Sequence, residues 1–145
     1  MITPPDPGYE KRVRDSFALQ SIMSTIGASL LYVRPGEVGI ELPVQAGLGQ
    51  QNGYVHAGIV TTIADSACGY AALSMAAPGV DVLSVEFKVN LLSPAAGERL
   101  QARGRVVRAG RTITVCAADV FGLVGEEEKH VATMLATIIS VPVSS

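Results

Sequence analysis

The sequence predicts a single α+β domain in which one long, buried helix is wrapped by a curved antiparallel β-sheet. Three observations lead to this fold class. A stretch from residue 56 to about residue 76 is apolar on nearly every side, which is typical of a buried helix. A shorter helical pattern and a hairpin precede it, and several strand patterns follow it. The length of 145 residues is that of one ordinary domain.

The chain begins with a predicted arm and a predicted helix. Residues 1–8 contain three prolines and one glycine, so we expect a loose arm ahead of a domain that spans 9–145. From Tyr9 to Ile26, apolar residues recur at the spacing of one helical face. Gly27 ends this pattern, as glycine commonly does at a helix C-terminus.

A hairpin and a loop are predicted next. Two short strand patterns, from residue 30 to 33 and from 38 to 42, flank the turn Arg34-Pro35-Gly36-Glu37. The segment 43–53 is polar and contains several glycines, so we expect a loop that leads into the long helix.

The long helix is followed by strands that predict an antiparallel meander. Pro78-Gly79 ends the helix, and turn residues separate the strands. The edges of such a sheet can be covered by edge-to-edge pairing with a second copy. The predicted strands, and the acidic turn before the last of them, are Val80–Leu92, Leu100–Ala109, Thr112–Phe121, Gly122–Lys129 (the turn) and His130–Val141.

The composition indicates a homo-oligomer. Apolar residues make up 48% of the chain and charged residues 17%, so we expect part of the surface to be covered by another subunit, in a dimer or a tetramer. The net charge of −2, without a basic stripe, argues against nucleic acid as a partner. No membrane or secretion signal is evident. Cys68 and Cys116 lack metal-ligand spacing and are expected to be buried free thiols of a cytoplasmic protein.

The segment most suggestive of chemistry is the polar loop from Gln50 to Gly53 and the helix start after His56. Backbone N–H groups in the first turn of a helix lack intrahelical partners, and the helix dipole adds partial positive charge. Together they can hold an anion or a developing oxyanion. Ala57 and Gly58 carry little side chain, so a ligand carbonyl could approach their N–H groups closely.

Asp65 is the only ionised residue in the long apolar helix. A buried carboxylate is costly unless it has a partner or a task, so Asp65 is either a structural residue, bonded to a backbone N–H or to Ser66, or a catalytic one. The neighbouring helix start favours the catalytic role. Gly58 and Asp65 are seven residues apart, which is about 10 Å along a helix and too far for both to act on one carbonyl. The spacing therefore predicts active sites shared between two chains.

These residues resemble the PaaI-like (phenylacetate-type) branch of hotdog-fold acyl-CoA thioesterases, over roughly residues 15–141. The strand ending at Ser93-Pro94 and the turn from Arg108 to Arg111 are also similar to that family. The resemblance implies a hotdog domain that assembles as a dimer or a dimer of dimers. The family pattern is Asn or Gln, Gly, His-Gly-Gly and a later Asp or Glu, and here these positions read Gln50, Gly53, His56, Ala57, Gly58 and Asp65.

The resemblance implies a role for each catalytic candidate. Asp65 would activate water or attack the thioester carbonyl, and the N–H of Ala57, helped by Gly58, would polarise that carbonyl. Ser84 lies where some family members use a serine to position the water. Ala57 stands where glycine is usual, so its methyl group could narrow the pocket.

Other candidates would orient or bind the substrate. Gln50 would orient water or the carbonyl from the partner subunit, although a second amide nearby is an alternative. His56 would hold the loop in place, or is only a helix cap. Tyr70 either lines an acyl pocket or belongs to the core. Arg108 and Arg111 could contact the phosphates of coenzyme A, or they could simply keep a sheet edge solvated. The substrate-binding candidates are Asn52, Gly53, Tyr54, Arg108 and Arg111.

Two other functions remain open at this point. One is a hotdog dehydratase or hydratase that acts on hydroxyacyl thioesters, and the other is a non-catalytic module that binds acyl-CoA. No metal or organic cofactor is implied, and coenzyme A enters only as part of the substrate. The sequence identifies neither the acyl group nor whether a carrier protein replaces coenzyme A.

Overall fold

In the computed structural model, which describes residues 2–143, an 18-residue helix packs across a six-stranded antiparallel sheet. Met1 of the predicted arm, and Ser144 and Ser145 of the predicted domain, lie outside the described residues. The elements are α1 (Tyr9–Leu19), α2 (Ser21–Ile26), β1 (Ser29–Arg34), β2 (Glu37–Pro43), α3 (Ala57–Ser74), β3 (Val80–Leu91), β4 (Arg99–Ala109), β5 (Ile113–Val124) and β6 (Glu127–Pro142).

The N-terminal helix is broken at Gln20, so the prediction of one helix over Tyr9–Ile26 is wrong. Gln20 has φ −80° and ψ 94°, which is extended rather than helical, and it separates α1 from α2. A single residue outside the helical region leaves the apolar periodicity almost unchanged, so the sequence pattern did not reveal the break. At the break, the Gln20 side chain lies against Ser66 of α3.

The end of α1 is tied to α3 by Arg12. Its guanidinium donates hydrogen bonds to the carbonyl oxygens of Leu73, Ala76 and Ala77 at 2.8, 2.6 and 2.9 Å. The last carbonyl groups of a helix have no intrahelical partner, and they carry the negative end of the helix dipole. Arg12 therefore anchors α1 at the C-terminal end of α3.

The sheet order is β1-β2-β4-β5-β6-β3, and this corrects the predicted meander. The hairpin of β1 and β2 was predicted, and β4, β5 and β6 do form a meander. However, β3 does not pair with β4. After α3 has crossed the sheet, β3 pairs with β6 at the far edge, and the other edge of β3 has no partner strand among the described residues.

The prediction of an acidic turn over Gly122–Lys129 is also wrong, because the observed turn is much shorter. β5 continues to Val124 and β6 begins at Glu127, which leaves only Gly125 and Glu126 between them. Gly125 has φ +58°, a value that glycine adopts readily. Apart from Glu126, the charged residues of this segment belong to β6, and Glu128 pairs with Arg103 of β4 on the outer face of the sheet. That outer face tolerates charge because it faces away from α3.

The helix lies very close to the sheet at Gly104 of β4. A Cβ atom at this position would lie 2.4 Å from the carbonyl oxygen of Ala67, which is far shorter than any real contact. Small residues on α3, such as Ala64, Ala67 and Ala71, are fully buried. The long helix thus packs closely against the sheet, and this close packing depends on glycine at residue 104.

The edge strand β3 presents an unusually apolar surface. Leu83, Val85, Phe87 and Leu91 are 60, 57, 41 and 55% exposed. Isolated exposed apolar residues are common, whereas these four form a row along an edge that has no partner strand among the described residues. No helix within residues 2–143 is long and apolar enough to cross a membrane.

Both cysteines are buried and unpaired, as predicted. Cys68 lies on α3 and Cys116 on β5, and burial raises the pKa of the Cys68 thiol far above its usual range. Burial likewise raises the pKa of the Cys116 thiol to about 12. Because the thiolate is the reactive form, both thiols are inert in the folded chain.

We expect the folded protein not to react with a thiol-reactive dye. The folded chain should release no colour over minutes at pH 8, whereas the chain in denaturant should react at both of its cysteines. The measurement is absorbance of the dye with and without guanidinium chloride. Rapid reaction of the folded chain would show that at least one thiol is accessible.

Candidate active site

The start of α3 is capped by His56. The backbone of His56 is extended (φ −60°, ψ 139°), and its Nδ1 accepts a hydrogen bond from the N–H of Gly58 at 2.8 Å. An accepting Nδ1 means that the proton of the neutral imidazole is assigned to Nε2. His56 therefore fills the cap role considered above, and it keeps an Nε2–H donor on its exposed side.

This cap distinguishes the two N–H groups at the helix start. The N–H of Gly58 is already bound to His56, whereas the N–H of Ala57 has no hydrogen-bond acceptor in residues 2–143. A Cβ atom at Gly58 would lie 3.0 Å from the Nδ1 of His56, so glycine also makes room for the cap. The donor that stays free at the helix start, among the described residues, is thus the N–H of Ala57, at the positive end of the α3 dipole.

The loop before α3 folds back on itself beside this donor. The N–H of Gln50 donates to the carbonyl oxygen of Tyr54 at 2.8 Å, and the side-chain oxygen of Gln50 accepts from the N–H of Asn52. Gly53 has φ +87°, which glycine adopts without strain. With one lone pair of its oxygen engaged by the loop, Gln50 keeps both N–H groups of its amide for a ligand.

A cleft of about 620 Å³ opens in front of the helix start. Gln50, Asn52, Tyr54, His56 and Ala57 form one wall. The opposite wall runs from Leu91, at the end of β3, to Ala95. The structure thus brings most of the predicted loop residues together around one cleft; Gly53 and Gly58 lie beside it.

Asp65 lies in a different cleft, of about 430 Å³, near the start of β3. Its Oδ1 accepts a hydrogen bond from the Oγ of Ser84 at 2.6 Å, and the side chain is half-buried. Among the described residues, no cation forms an ion pair with Asp65. The carboxylate is therefore held by a hydroxyl group and keeps one oxygen free towards the cleft.

The two clefts lie at opposite ends of β3. Leu91 and Leu92 border the cleft at the helix start, and Leu83 and Ser84 border the cleft at Asp65. Within one chain, the free N–H of Ala57 and the carboxylate of Asp65 thus face separate spaces. This agrees with the distance argument from the sequence, by which both groups cannot act on one carbonyl of the same chain.

Comparison with known proteins identifies the family. The family model described as the thioesterase superfamily matches residues 52–129, which is more than half of the chain and includes Asp65 and Ser84. The chain belongs to the thioesterase superfamily. A thioesterase family protein from Silicibacter pomeroyi is similar in structure, with a TM-score of 0.91 and 49% identity, and the match covers 93% of this chain and 99% of that chain.

Two more distant matches share the fold or part of the sequence. The PaaI protein from the phenylacetic acid degradation operon of E. coli shares the fold, with a TM-score of 0.83 and 19% identity, over 92% of this chain and 93% of that chain. A sequence from Halobacterium salinarum, named as a proposed esterase, is 34% identical over 104 residues, which is 68% of this chain and 68% of its own. The predicted hotdog fold and family are confirmed, and the chain is a thioester hydrolase.

The two arginines predicted to meet coenzyme A line neither cleft of this thioesterase. Arg108 and Arg111 are exposed at the turn between β4 and β5. Through the sheet register, Thr114 of β5 lies opposite Ile138 of β6, and Ile138 lies opposite Ser84. The arginine-containing turn is therefore at the same end of the sheet as Asp65, on the far side from the helix start.

The sequence did not single out Gln20 as a residue of this thioesterase's site. Gln20 borders the Asp65 cleft, and its side-chain oxygen faces the hydroxyl groups of Ser66 and Tyr70. Tyr70 was considered for an acyl pocket, and Ser66 only as a partner of Asp65. A polar residue inside an apolar helical pattern is too common a feature to have indicated Gln20.

We expect Ser84→Ala to lower kcat about tenfold, because the carboxylate of Asp65 loses the hydroxyl that orients it. KM should change by less than about twofold, since Ser84 holds the carboxylate rather than the substrate. The measurement is steady-state thiol release. Ser24→Ala, at an exposed position of α2, is the matched control, and equal rates for the two variants would contradict the role of Ser84.

Proposed function

We propose that the chain hydrolyses acyl-CoA thioesters in two active sites, each shared between two subunits, with Asp65 as the general base or nucleophile. The observation that carries the proposal is the separation of the two clefts along β3. The N–H of Ala57 borders one cleft and the carboxylate of Asp65 the other, at opposite ends of a strand whose outer edge is apolar and unpaired.

Pairing two β3 strands antiparallel would complete both sites. About a two-fold axis, the start of one β3 lies beside the end of the other. The Asp65 cleft of one subunit then meets the helix-start cleft of the second copy, twice in each dimer. The same contact would cover the exposed side chains of Leu83, Val85, Phe87 and Leu91. One contact thus accounts for both the incomplete sites and the apolar edge.

The reaction would use these groups in sequence. Water attacks the thioester carbonyl as Asp65 takes its proton, and the negative charge that forms on the carbonyl oxygen is held by the N–H of the partner subunit's Ala57. The carbon–sulfur bond then breaks, and the thiolate of coenzyme A takes the proton back from Asp65. A carboxylic acid and a free thiol leave. In the nucleophilic variant, Asp65 itself attacks, and water hydrolyses the resulting anhydride.

The remaining side chains of the helix-start cleft would position the substrate. The Nε2–H of His56 and the amide NH₂ of Gln50 are donors that can hold the thioester carbonyl or the attacking water. Arg108 and Arg111, at the Asp65 end of the sheet, would lie in such a dimer near the helix-start cleft of the other subunit and could attract coenzyme A phosphates. We propose no cofactor beyond the coenzyme A of the substrate, and a cytoplasmic location suited to the buried thiols.

The test uses thiol release from a panel of short, medium, long and aryl acyl-CoAs, followed by complementation. Two inactive chains, Asp65→Asn and Ala57→Pro, are co-expressed with different tags, and the mixed dimer is purified. One of its two sites then has both an intact Asp65 and an intact N–H at residue 57. The mixed dimer should recover about half of the wild-type activity.

Three outcomes would contradict parts of the proposal. A mixed dimer that stays inactive would place each site within one chain. A monomer with full activity in sedimentation analysis would exclude shared sites altogether. Tight binding of acyl-CoA without thiol release from any member of the panel would favour a binding module over an enzyme of this specificity.

A further inference from the structure

A cluster of polar side chains lines the inner end of the Asp65 cleft. The side-chain oxygen of Gln20 accepts from the hydroxyl groups of Ser66 and Tyr70 at 3.3 and 3.5 Å. The Oγ of Ser16 lies 3.4 Å from the hydroxyl of Tyr70. Ser66 and Tyr70 are only 7 and 8% exposed, so this is an internal cluster rather than a solvated surface.

The cluster has hydrogen-bonding capacity left over. The amide NH₂ group of Gln20 has no acceptor within residues 2–143, and the bond from Tyr70 is long. Gln20 is half-buried, and the break between α1 and α2 points its side chain at α3. A polar group that enters this end of the cleft can therefore accept a hydrogen bond from Gln20 and exchange one with Tyr70.

The charges around the cleft select against an anion. Asp65 and Asp81 both border it, and no Lys, Arg or His does so among the described residues. The remaining wall is apolar and includes Leu73 and Val82. A ligand carboxylate here would meet two like charges without a counter-ion, whereas a methylene chain would meet apolar walls and a hydroxyl group would meet the Gln20 cluster.

The distance from Asp65 to the cluster limits the length of such a ligand. Ser66 directly follows Asp65 on α3, and Tyr70 is five residues beyond Asp65, which is about 7.5 Å along the helix axis, so the cluster begins beside Asp65 and ends at Tyr70. An extended chain advances about 1.2 Å per covalent bond, so a chain of about six bonds covers the helix from Asp65 to the far end of the cluster at Tyr70.

Resting on the proposed function, we infer that this cleft holds the acyl group, and that the preferred acyl group is a chain of about six carbons ending in a neutral hydrogen-bonding group such as a hydroxyl. Gln20 and Tyr70 are the residues that select it. They contact the distal end of the substrate and take no part in the hydrolysis.

The test compares three acyl-CoAs that share a six-carbon chain: hexanoyl-, 6-hydroxyhexanoyl- and adipoyl-CoA. In the wild-type enzyme, kcat/KM for the hydroxylated substrate should exceed that for hexanoyl-CoA about three- to tenfold, the effect of one or two neutral hydrogen bonds. Adipoyl-CoA should be at least about tenfold poorer than hexanoyl-CoA, because its carboxylate faces two like charges.

Gln20→Leu and Tyr70→Phe should each lower the ratio of kcat/KM for 6-hydroxyhexanoyl-CoA over hexanoyl-CoA towards one. If Gln20 and Tyr70 only hold α1 against α3, both substrates will lose rate together and the ratio will not move, which overturns the inference. Hexanoyl-CoA is the internal control in each variant. Wild-type turnover with equal rates for all three substrates overturns the inference alone, whereas no thiol release from any acyl-CoA overturns the proposed function with it.

Discussion

Asp65→Asn is expected to lower kcat by about 10²–10⁴-fold, the usual contribution of a general base. Asparagine has the same size and can still accept the hydrogen bond from Ser84, but it cannot take a proton from water or attack a carbonyl. Because no cation within residues 2–143 pairs with Asp65, its replacement should leave the helix folded. The measurement is thiol release with the best substrate of the panel.

The control for Asp65→Asn is Asp15→Asn, which removes an exposed helical carboxylate paired only with Lys11. Circular dichroism and sedimentation should give the same secondary structure and assembly for both variants and for the wild type. If Asp65→Asn keeps its rate within about twofold of Asp15→Asn, Asp65 is structural and the proposed mechanism fails.

Ala57→Pro should reduce kcat by about 10²–10³-fold, the effect of removing one oxyanion donor. Ala57 is the first residue of α3, a position that proline occupies readily because no intrahelical hydrogen bond is lost there. His56 is already extended, as the residue before a proline must be. The substitution therefore removes the N–H while leaving the helix start in place. KM should change much less than kcat, since the oxyanion forms only during the reaction.

Ala57→Gly separates the loss of the N–H from the loss of the methyl group. Glycine keeps the donor and restores the residue usual in the resembled family, so this variant should stay within about threefold of wild type. Thermal unfolding of both variants checks the helix start. Equal activity of Ala57→Pro and Ala57→Gly would show that the N–H of residue 57 does not hold the oxyanion.

Local patterns were sufficient to predict much of the fold. The helix predicted from residue 56 to 76 runs from Ala57 to Ser74, since a helix that is apolar all round carries its own signal. The hairpin around Pro35-Gly36 was also predicted from local sequence, because the turn residues determine it. The loop before α3 was predicted from the order of residues along the chain.

Features that depend on distant parts of the chain were missed. The place of β3 beside β6 is decided by pairing after the chain has crossed the sheet, and alternation along a strand carries no information about its neighbour. The occupation of the Gly58 N–H by His56 is a matter of side-chain rotamer, which spacing does not reveal. Gln20 entered the Asp65 cleft only because the backbone breaks there.

The close approach of Gly104 to the backbone of α3 limits how near the helix can lie to the sheet. Gly104 touches Ala67, two residues along α3 from Asp65, and lies on β4, three strands away from the serine that orients the carboxylate. A displacement of about 1 Å between reacting groups can cost about a hundredfold in rate. In the proposed mechanism, the close approach of these two stretches of backbone helps to fix the position of the Asp65 carboxylate, so packing at a remote, buried residue would affect the geometry of the active site.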